Sequence, residues 1–235
     1  MSIFQFKHFS ISQFNSALKV GTDAMVLGAL IETTNEKSAL DIGTGTGVLA
    51  LMLAQKNSAM FIDAIEIDAL SCVDAKLNFS KANWKDRLSL IEGDFLDCSF
   101  SKKYDLIVSN PPFYLDGLVS SDERTNQAKH SNDLNFDTLF NRVNELLSSD
   151  GSFWVIYPFE NHSLVEEIAR ENELYPSQLI EIQGKPNRPT RMVACYKKGA
   201  SFVNKEIFLI RDEEGNYSPS YIAATCEFHS KKIVR

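Results

Sequence analysis

The chain has no cysteine pair at metal-binding spacing, no stretch approaching the ~20 apolar residues that cross a bilayer, and no broad excess of basic residues. Each absence closes a class of function. Cys72, Cys98, Cys195 and Cys226 lie far apart, so neither a metal site nor a disulfide framework is expected, and buried reduced thiols in a cytoplasmic protein are. Met1 to His8 hold no charged-then-apolar signal pattern, so nothing points to export or to a membrane. The net charge of −7 argues against indiscriminate adhesion to phosphate backbones, so any nucleic-acid contact must be local. Repeats and low-complexity tracts are missing, and only 7 prolines interrupt 235 residues that are 44% apolar. Such a chain can bury a sizeable core as one domain. We expect a monomer with a cap segment at 1–37, a core at 38–199 and an extension at 200–235.

What is present from Ser38 onward is an alternation of short apolar runs with longer amphipathic stretches, the pattern of βαβ units around a parallel sheet. Strands are expected over Ala39–Asp41, Phe61–Glu66, Leu88–Glu92, Tyr104–Ser109, Phe153–Tyr157, Gln178–Gln183 and Met192–Tyr196. Helices are expected over Gly47–Lys56, Ala69–Lys81, Asn135–Leu147 and His162–Glu171, with Asp68 and Asn161 placed to cap two of them. Gly93 to Lys103 is short for a crossover helix and reads as a reduced connection. Phe4 to Ile11 and a late strand within Ile207 to Tyr221 should be additions at a sheet edge or over the site. The fold class that follows is α/β, a doubly wound, seven-stranded, mostly parallel sheet with helices on both faces.

Asp41-Ile42-Gly43-Thr44-Gly45-Thr46-Gly47 falls between the first core strand and the first core helix. A glycine-rich turn there lets a ligand approach the backbone closely. The spacing is not that of the dinucleotide G-x-G-x-x-G loop, and the leading carboxylate would repel a pyrophosphate while suiting a ligand with an ammonium and a sulfonium. Glu66 ends the second strand, 19 positions after Gly47, where an acid can accept both ribose hydroxyls. Asp94 ends the third, where a carboxylate can accept from an adenine amino group. Three acids at three successive strand ends describe S-adenosyl-L-methionine better than a phosphate-bearing cofactor. Asp41, Gly43, Thr44, Gly45, Gly47, Glu66 and Asp94 are therefore the candidate cofactor residues.

Asn110-Pro111-Pro112-Phe113 follows the apolar run Leu106-Ile107-Val108, 63 residues after Gly47. A buried strand that ends this way holds an amide, main-chain carbonyls and a flat ring, a device for gripping a planar amine. With the cofactor loop, these residues resemble the class I, Rossmann-like S-adenosylmethionine-dependent methyltransferases, in the branch that methylates amino groups. The resemblance implies that the Asn110 oxygen and the Pro111 carbonyl accept the substrate's N–H groups, that Pro112 stiffens the turn, that Phe113 stacks on the substrate, and that Asn110 also borders the cofactor. Lys19-Val20-Gly21-Thr22-Asp23, Leu27-Gly28-Ala29, Phe6-Lys7-His8-Phe9, and Ile210-Arg211 with Asn216-Tyr217-Ser218 and Tyr221 resemble segments of the bacterial valine-tRNA adenine-37 N6-methyltransferases, so that the likeness spans nearly the whole chain. Phe113 stands where those enzymes often carry tyrosine; stacking survives the change and a phenolic hydrogen bond does not. The resemblance implies that Thr22 and Asp23 close over the methionine portion of the cofactor, their other role being to cap a helix over Ala24–Ile31.

The implied target is an adenine in a single-stranded anticodon loop, which can be splayed out and stacked at modest cost. Candidate phosphate contacts are Lys185, Arg188 and Arg191, in the acid-free run Gly184 to Lys198 that also holds Lys197 and Lys198. Arg124, Lys129 and His130 in the loop after Phe113, and Lys231, Lys232 and Arg235 at the C-terminus, are further candidates. Guanine-N2 methylation of ribosomal RNA, methylation of a release-factor glutamine, and a non-catalytic cofactor-binding RNA chaperone are the alternatives. The intact set Asp41, Glu66, Asp94 and Asn110 speaks against the last.

Overall fold

The computed structural model describes residues 3–111, 135–199 and 202–230. Its elements are β1 (Ile3–Gln5), β2 (Ser10–Ser12), α1 (Thr22–Leu30), β3 (Ser38–Ile42), α2 (Val48–Lys56), β4 (Phe61–Glu66), α3 (Ala69–Lys81), β5 (Leu88–Glu92), β6 (Tyr104–Ser109), α4 (Phe136–Leu146), β7 (Leu147–Pro158), α5 (His162–Glu171), β8 (Leu174–Lys185), β9 (Arg188–Lys198), β10 (Asn204–Leu209) and α6 (Pro219–Thr225). The main sheet has eight strands in the order β10-β8-β9-β7-β6-β3-β4-β5, and β1 pairs with β2 in a separate hairpin. The seven expected strands are thus joined by the late one, β10, which lies parallel to β8 at the edge. From β7 to β5 every neighbour is parallel, whereas β9 runs antiparallel to both β7 and β8.

Strand residues alternate between faces, and the core divides accordingly. Ala39, Leu106 and Val108 join α1, α2 and the N-terminal segment on one face, through residues such as Leu27, Leu51 and Phe6. Leu40, Ile42 and Ile107 join α4 and α5 on the other, through Phe140, Val143 and Val165. Covering both faces is what an all-apolar central strand such as Leu106-Ile107-Val108 requires.

Local chemistry explains most boundaries. Asp68 accepts from the Ser71 N–H to start α3, and Asn135 forms a reciprocal capping box with Thr138 at α4. Asn161 differs from expectation and makes no side-chain cap bond. A 3₁₀ turn, Phe159–Asn161, runs straight into α5 and leaves Asn161 with helical backbone angles instead of the extended ones a capping residue needs. Among the described residues no helix is long and apolar enough to span a membrane.

Candidate active site

The strand order reverses between β3 and β6, because the chain passes from β3 to β4 and β5 on one side and returns to β6 on the other. Open α/β sheets bind ligands at such a switch point, outside the carboxyl ends of the strands. Here four parallel ends line up as Asn110 after β6, the Gly43 to Gly47 loop after β3, Glu66 on β4 and Asp94 after β5. Three inter-strand gaps of ~4.8 Å make this row roughly 14 Å long.

The glycine loop is held by its neighbours. The N–H groups of Gly43 and Thr44 both donate to the Ile65 carbonyl, at 2.9 and 3.0 Å. Gly43, Gly45 and Gly47 all have left-handed backbone, with φ of 68°, 57° and 82°. Asp41 is fully buried, and its Oδ2 accepts from the Thr44 hydroxyl at 2.5 Å and the Ala50 N–H at 3.1 Å. Its Oδ1 has no partner among the described residues. Burial pushes the Asp41 carboxyl up to about 7, against the pull of Thr44 and Ala50 and with some help from the Glu66 charge.

Glu66 Oε2 accepts from the Gly45 N–H at 2.7 Å, and Oε1 accepts from the N–H groups of Ile67 and Asp68, both at 2.9 Å. Of the roughly four acceptor sites of a carboxylate, about one is left, enough for a single hydroxyl while the loop stays as it is. Burial raises the Glu66 carboxyl as well, and those three backbone bonds oppose the rise. Asp94 is half-buried and takes the Leu96 N–H at 2.9 Å on one oxygen. At the other end of the row the Ser109 hydroxyl donates to the Ile42 carbonyl at 3.0 Å, tying the end of β6 to the end of β3. Asn110 and Pro111 follow at once, both half-buried. No hydrogen bond to another described residue engages the Asn110 amide. Pro112, Phe113, Arg124, Lys129, His130, Lys231, Lys232 and Arg235 lie outside the described residues.

Thr22 and Asp23 open α1 without capping it, since Gly21 occupies the N-cap position. Asp23 instead meets Arg191, whose Nε lies 2.9 Å from its Oδ2, so a candidate cofactor residue and a candidate RNA residue share one ion pair across 168 positions. Lys185 and Arg188 are exposed at the β8–β9 turn, on the same sheet edge as Asn110. Lys197 and Lys198 are not: they sit at the far end of β9, where the Lys198 ammonium donates to the Leu147 carbonyl. Lys198 is seven positions along the strand from Arg191, about 23 Å at ~3.3 Å each. The basic run is one cluster in sequence and two in space.

Two residues that the sequence reading passed over complete the site. Asp74 and Asn78 on α3 are buried. Asp74 accepts from the N–H groups of Asn15 and Ser16 at 2.8 Å, and Asn78 bridges the carbonyls of Ser12 and Thr46 at 2.9 Å. They strap the N-terminal segment to the glycine loop. Their signal was available: at a spacing of four they fall on the buried stripe of α3 with Ala75 and Phe79, where a polar residue needs a partner.

Residues 13–172 match the methyltransferase small domain family. The tRNA1(Val) (adenine(37)-N6)-methyltransferase of Bacteroides fragilis is 38% identical over 97% of this chain and 98% of its own length. That of Flavobacterium psychrophilum is 37% identical over 97% of this chain and all of its own. The chain belongs to the tRNA1(Val) (adenine(37)-N6)-methyltransferase family. Membership makes it a methyltransferase, and the fold agrees: a predicted O-methyltransferase from Agrobacterium tumefaciens, 13% identical, superposes with a TM-score of 0.71 over 89% of this chain and 98% of its own. In this member of the family the glycine loop, the acidic strand ends and Asn110 lie side by side at one end of the sheet. Among the described residues there is no group of three or more His, Cys, Asp or Glu placed to hold a metal ion.

Proposed function

We propose that the chain transfers a methyl group from S-adenosyl-L-methionine to the exocyclic N6 amine of adenine 37 in valine tRNA. The observation that carries the reading is the unengaged Asn110 amide at the end of β6, one strand from the glycine loop. The names of the relatives supply the target.

The donor set suits this cofactor. The buried, unpartnered Asp41 Oδ1 is a place for positive charge, and a Cβ built at Gly43, Gly45 or Gly93 would enter open space, leaving backbone accessible along the row. Glu66 and Asp94 would hold the ribose and the adenine, and Thr22 and Asp23 the methionine end. When bound, the cofactor supplies an electrophilic methyl group on a sulfonium.

The chain's own part is to make an exocyclic amine a nucleophile. Its lone pair is delocalised into the ring, so the Asn110 oxygen and the Pro111 carbonyl draw the two N–H bonds aside and turn the lone pair toward the methyl. Acceptors fixed where charge develops favour the transition state over the ground state. Holding amine and methyl in line at near contact contributes the rest. No side chain has to act as a base during the transfer, because the methylated nitrogen is strongly acidic and gives up its proton afterwards.

The Asp41 environment predicts a pH dependence. A carboxyl raised above its unfolded value binds more protons when folded, so stability falls as pH rises from the ordinary carboxylate range through about 7. A cationic cofactor favours the ionised form. Its affinity should therefore rise through that same pH and level off above it, and Asp41→Asn should flatten both trends. Calorimetric titration and thermal melts across the range measure them; an equally steep rise in Asp41→Asn would assign the titration elsewhere.

To test the substrate, labelled S-adenosylmethionine is offered in parallel to unmodified total tRNA, ribosomal RNA and release factor, and the product nucleosides are separated by mass spectrometry. Label in N6-methyladenosine of valine tRNA is expected. Label confined to guanosine or to protein would replace the reading.

A further inference from the structure

The segment after β10 is built more elaborately than a sheet edge requires. Arg211 and Tyr217 form an isolated antiparallel bridge around the turn Asp212-Glu213-Glu214-Gly215-Asn216, which is closed by Asp212 and Asn216 main-chain and side-chain bonds. The Arg211 guanidinium lies over the Tyr217 ring, with Cζ 4.0 Å from the centroid, and Nη1 donates to the Gly215 carbonyl at 2.6 Å. Tyr217 in turn stacks on Tyr221, with centroids 4.7 Å apart and planes 11° from parallel. Tyr221 is buried, Tyr217 and Arg211 only partly so. The result is a three-layer stack rooted in the core and ending in a flat cation.

Three acids adjoin Arg211 in the turn, and among the described residues none forms an ion pair with it. The guanidinium is held by ring and carbonyl instead. Its place matters equally. Leu209 pairs with Gln183 and the Ile210 N–H donates to the Gln183 carbonyl at 2.8 Å, so Arg211 emerges beside the β8–β9 turn that exposes Lys185 and Arg188. All three lie at the carboxyl ends that carry Asn110, with Arg211 four strand gaps or roughly 19 Å across the sheet from it and about five residues or ~17 Å further along the strands, on the order of 25 Å in all.

We infer that Arg211 is a stacking platform for a nucleobase of the RNA substrate other than the methylated adenine, splayed from the same loop. The inference rests on the RNA reading above. Guanidinium planes and aromatic faces are the surfaces on which unpaired bases stack. The adjacent Asp212, Glu213 and Glu214 disfavour a phosphate at this spot and suit the exocyclic amines of a base. Lys185 and Arg188 take the phosphates alongside.

The test uses the full chain and an unmodified valine-tRNA anticodon stem-loop, with loop nucleotides other than the target made abasic one at a time. Affinity is read by fluorescence anisotropy and product by mass spectrometry. One abasic position should weaken wild-type binding on the order of tenfold, and that position should be silent in Arg211→Ala. Arg211→Lys keeps the charge and loses the plane, so it should behave as Arg211→Ala while leaving the salt dependence of binding unchanged. The KM for RNA should rise while kcat and cofactor affinity hold, and melting temperatures should stay level. Full binding by Arg211→Lys, with a shallower salt slope in Arg211→Ala, would make Arg211 a phosphate contact and overturn the platform; so would abasic effects that are the same in wild type and variant. Wild-type binding without methylation overturns the proposed function yet leaves the stacking readout intact, and no wild-type binding overturns both.

Discussion

Asn110→Ala should bind S-adenosylmethionine within a few-fold of wild type and lose on the order of 10²–10³-fold in kcat, the usual consequence of removing one fixed partner of developing charge. The asymmetry follows from position. The proposed cofactor row runs from the glycine loop to Glu66 and Asp94, whereas Asn110 ends the strand on the opposite side of the switch point. Its amide is half-buried and makes no bond to another described residue, so truncation strands no partner and the melting temperature should hardly move. Asn110→Asp keeps an acceptor at the same place and should retain more activity than Asn110→Ala. Single-turnover kinetics and calorimetry on the same preparations separate the two effects. Loss of cofactor binding in Asn110→Ala, at unchanged stability, would remove Asn110 from its role toward the amine.

How far the sequence carried depended on the range of the interaction. β4, β5, β6, α3 and α5 begin and end where apolar period, Asp68 and the strand-end residues place them, because those signals are local. β7, β8 and β9 run well beyond their apolar centres, to 12, 12 and 11 residues, since the long hairpin and its neighbour stabilise polar ends that no local pattern marks. The acids and glycines could be assigned to strand ends from spacing alone. Their partners could not: Thr44 and Ala50 on Asp41, and three backbone N–H groups on Glu66, depend on how the loop folds over the strand ends. The pairing of Asp23 with Arg191 and the strap from Asp74 to Asn15 join residues 168 and 59 positions apart, and such contacts follow from the topology of the sheet.

Gly47→Ala should be the most destabilising single change in the glycine loop, and Gly45→Ala should damage cofactor binding far more than stability. Both residues have left-handed backbone, which costs an L-residue roughly 1–2 kcal/mol. They differ in what a methyl would meet. At Gly45 the added Cβ finds no atom within 4 Å and projects into open space, where the cofactor would approach the loop. At Gly47 it falls deep inside van der Waals contact of the Phe79 ring. That ring is buried on α3, in the core shared with α2, and cannot swing clear, so overpacking adds about 1–3 kcal/mol. At about 2–4 °C per kcal/mol for a chain of this size, Gly47→Ala should melt on the order of 10 °C below wild type, and Gly45→Ala a few degrees below. Shortening the ring tests the cause: Gly47→Ala with Phe79→Leu should lose less stability than the two single changes summed. Additive losses would place the cost in the backbone alone. A Gly47→Ala protein that melts like wild type but no longer binds cofactor would mean that Gly47 serves the ligand and not the seating of α3 against the loop.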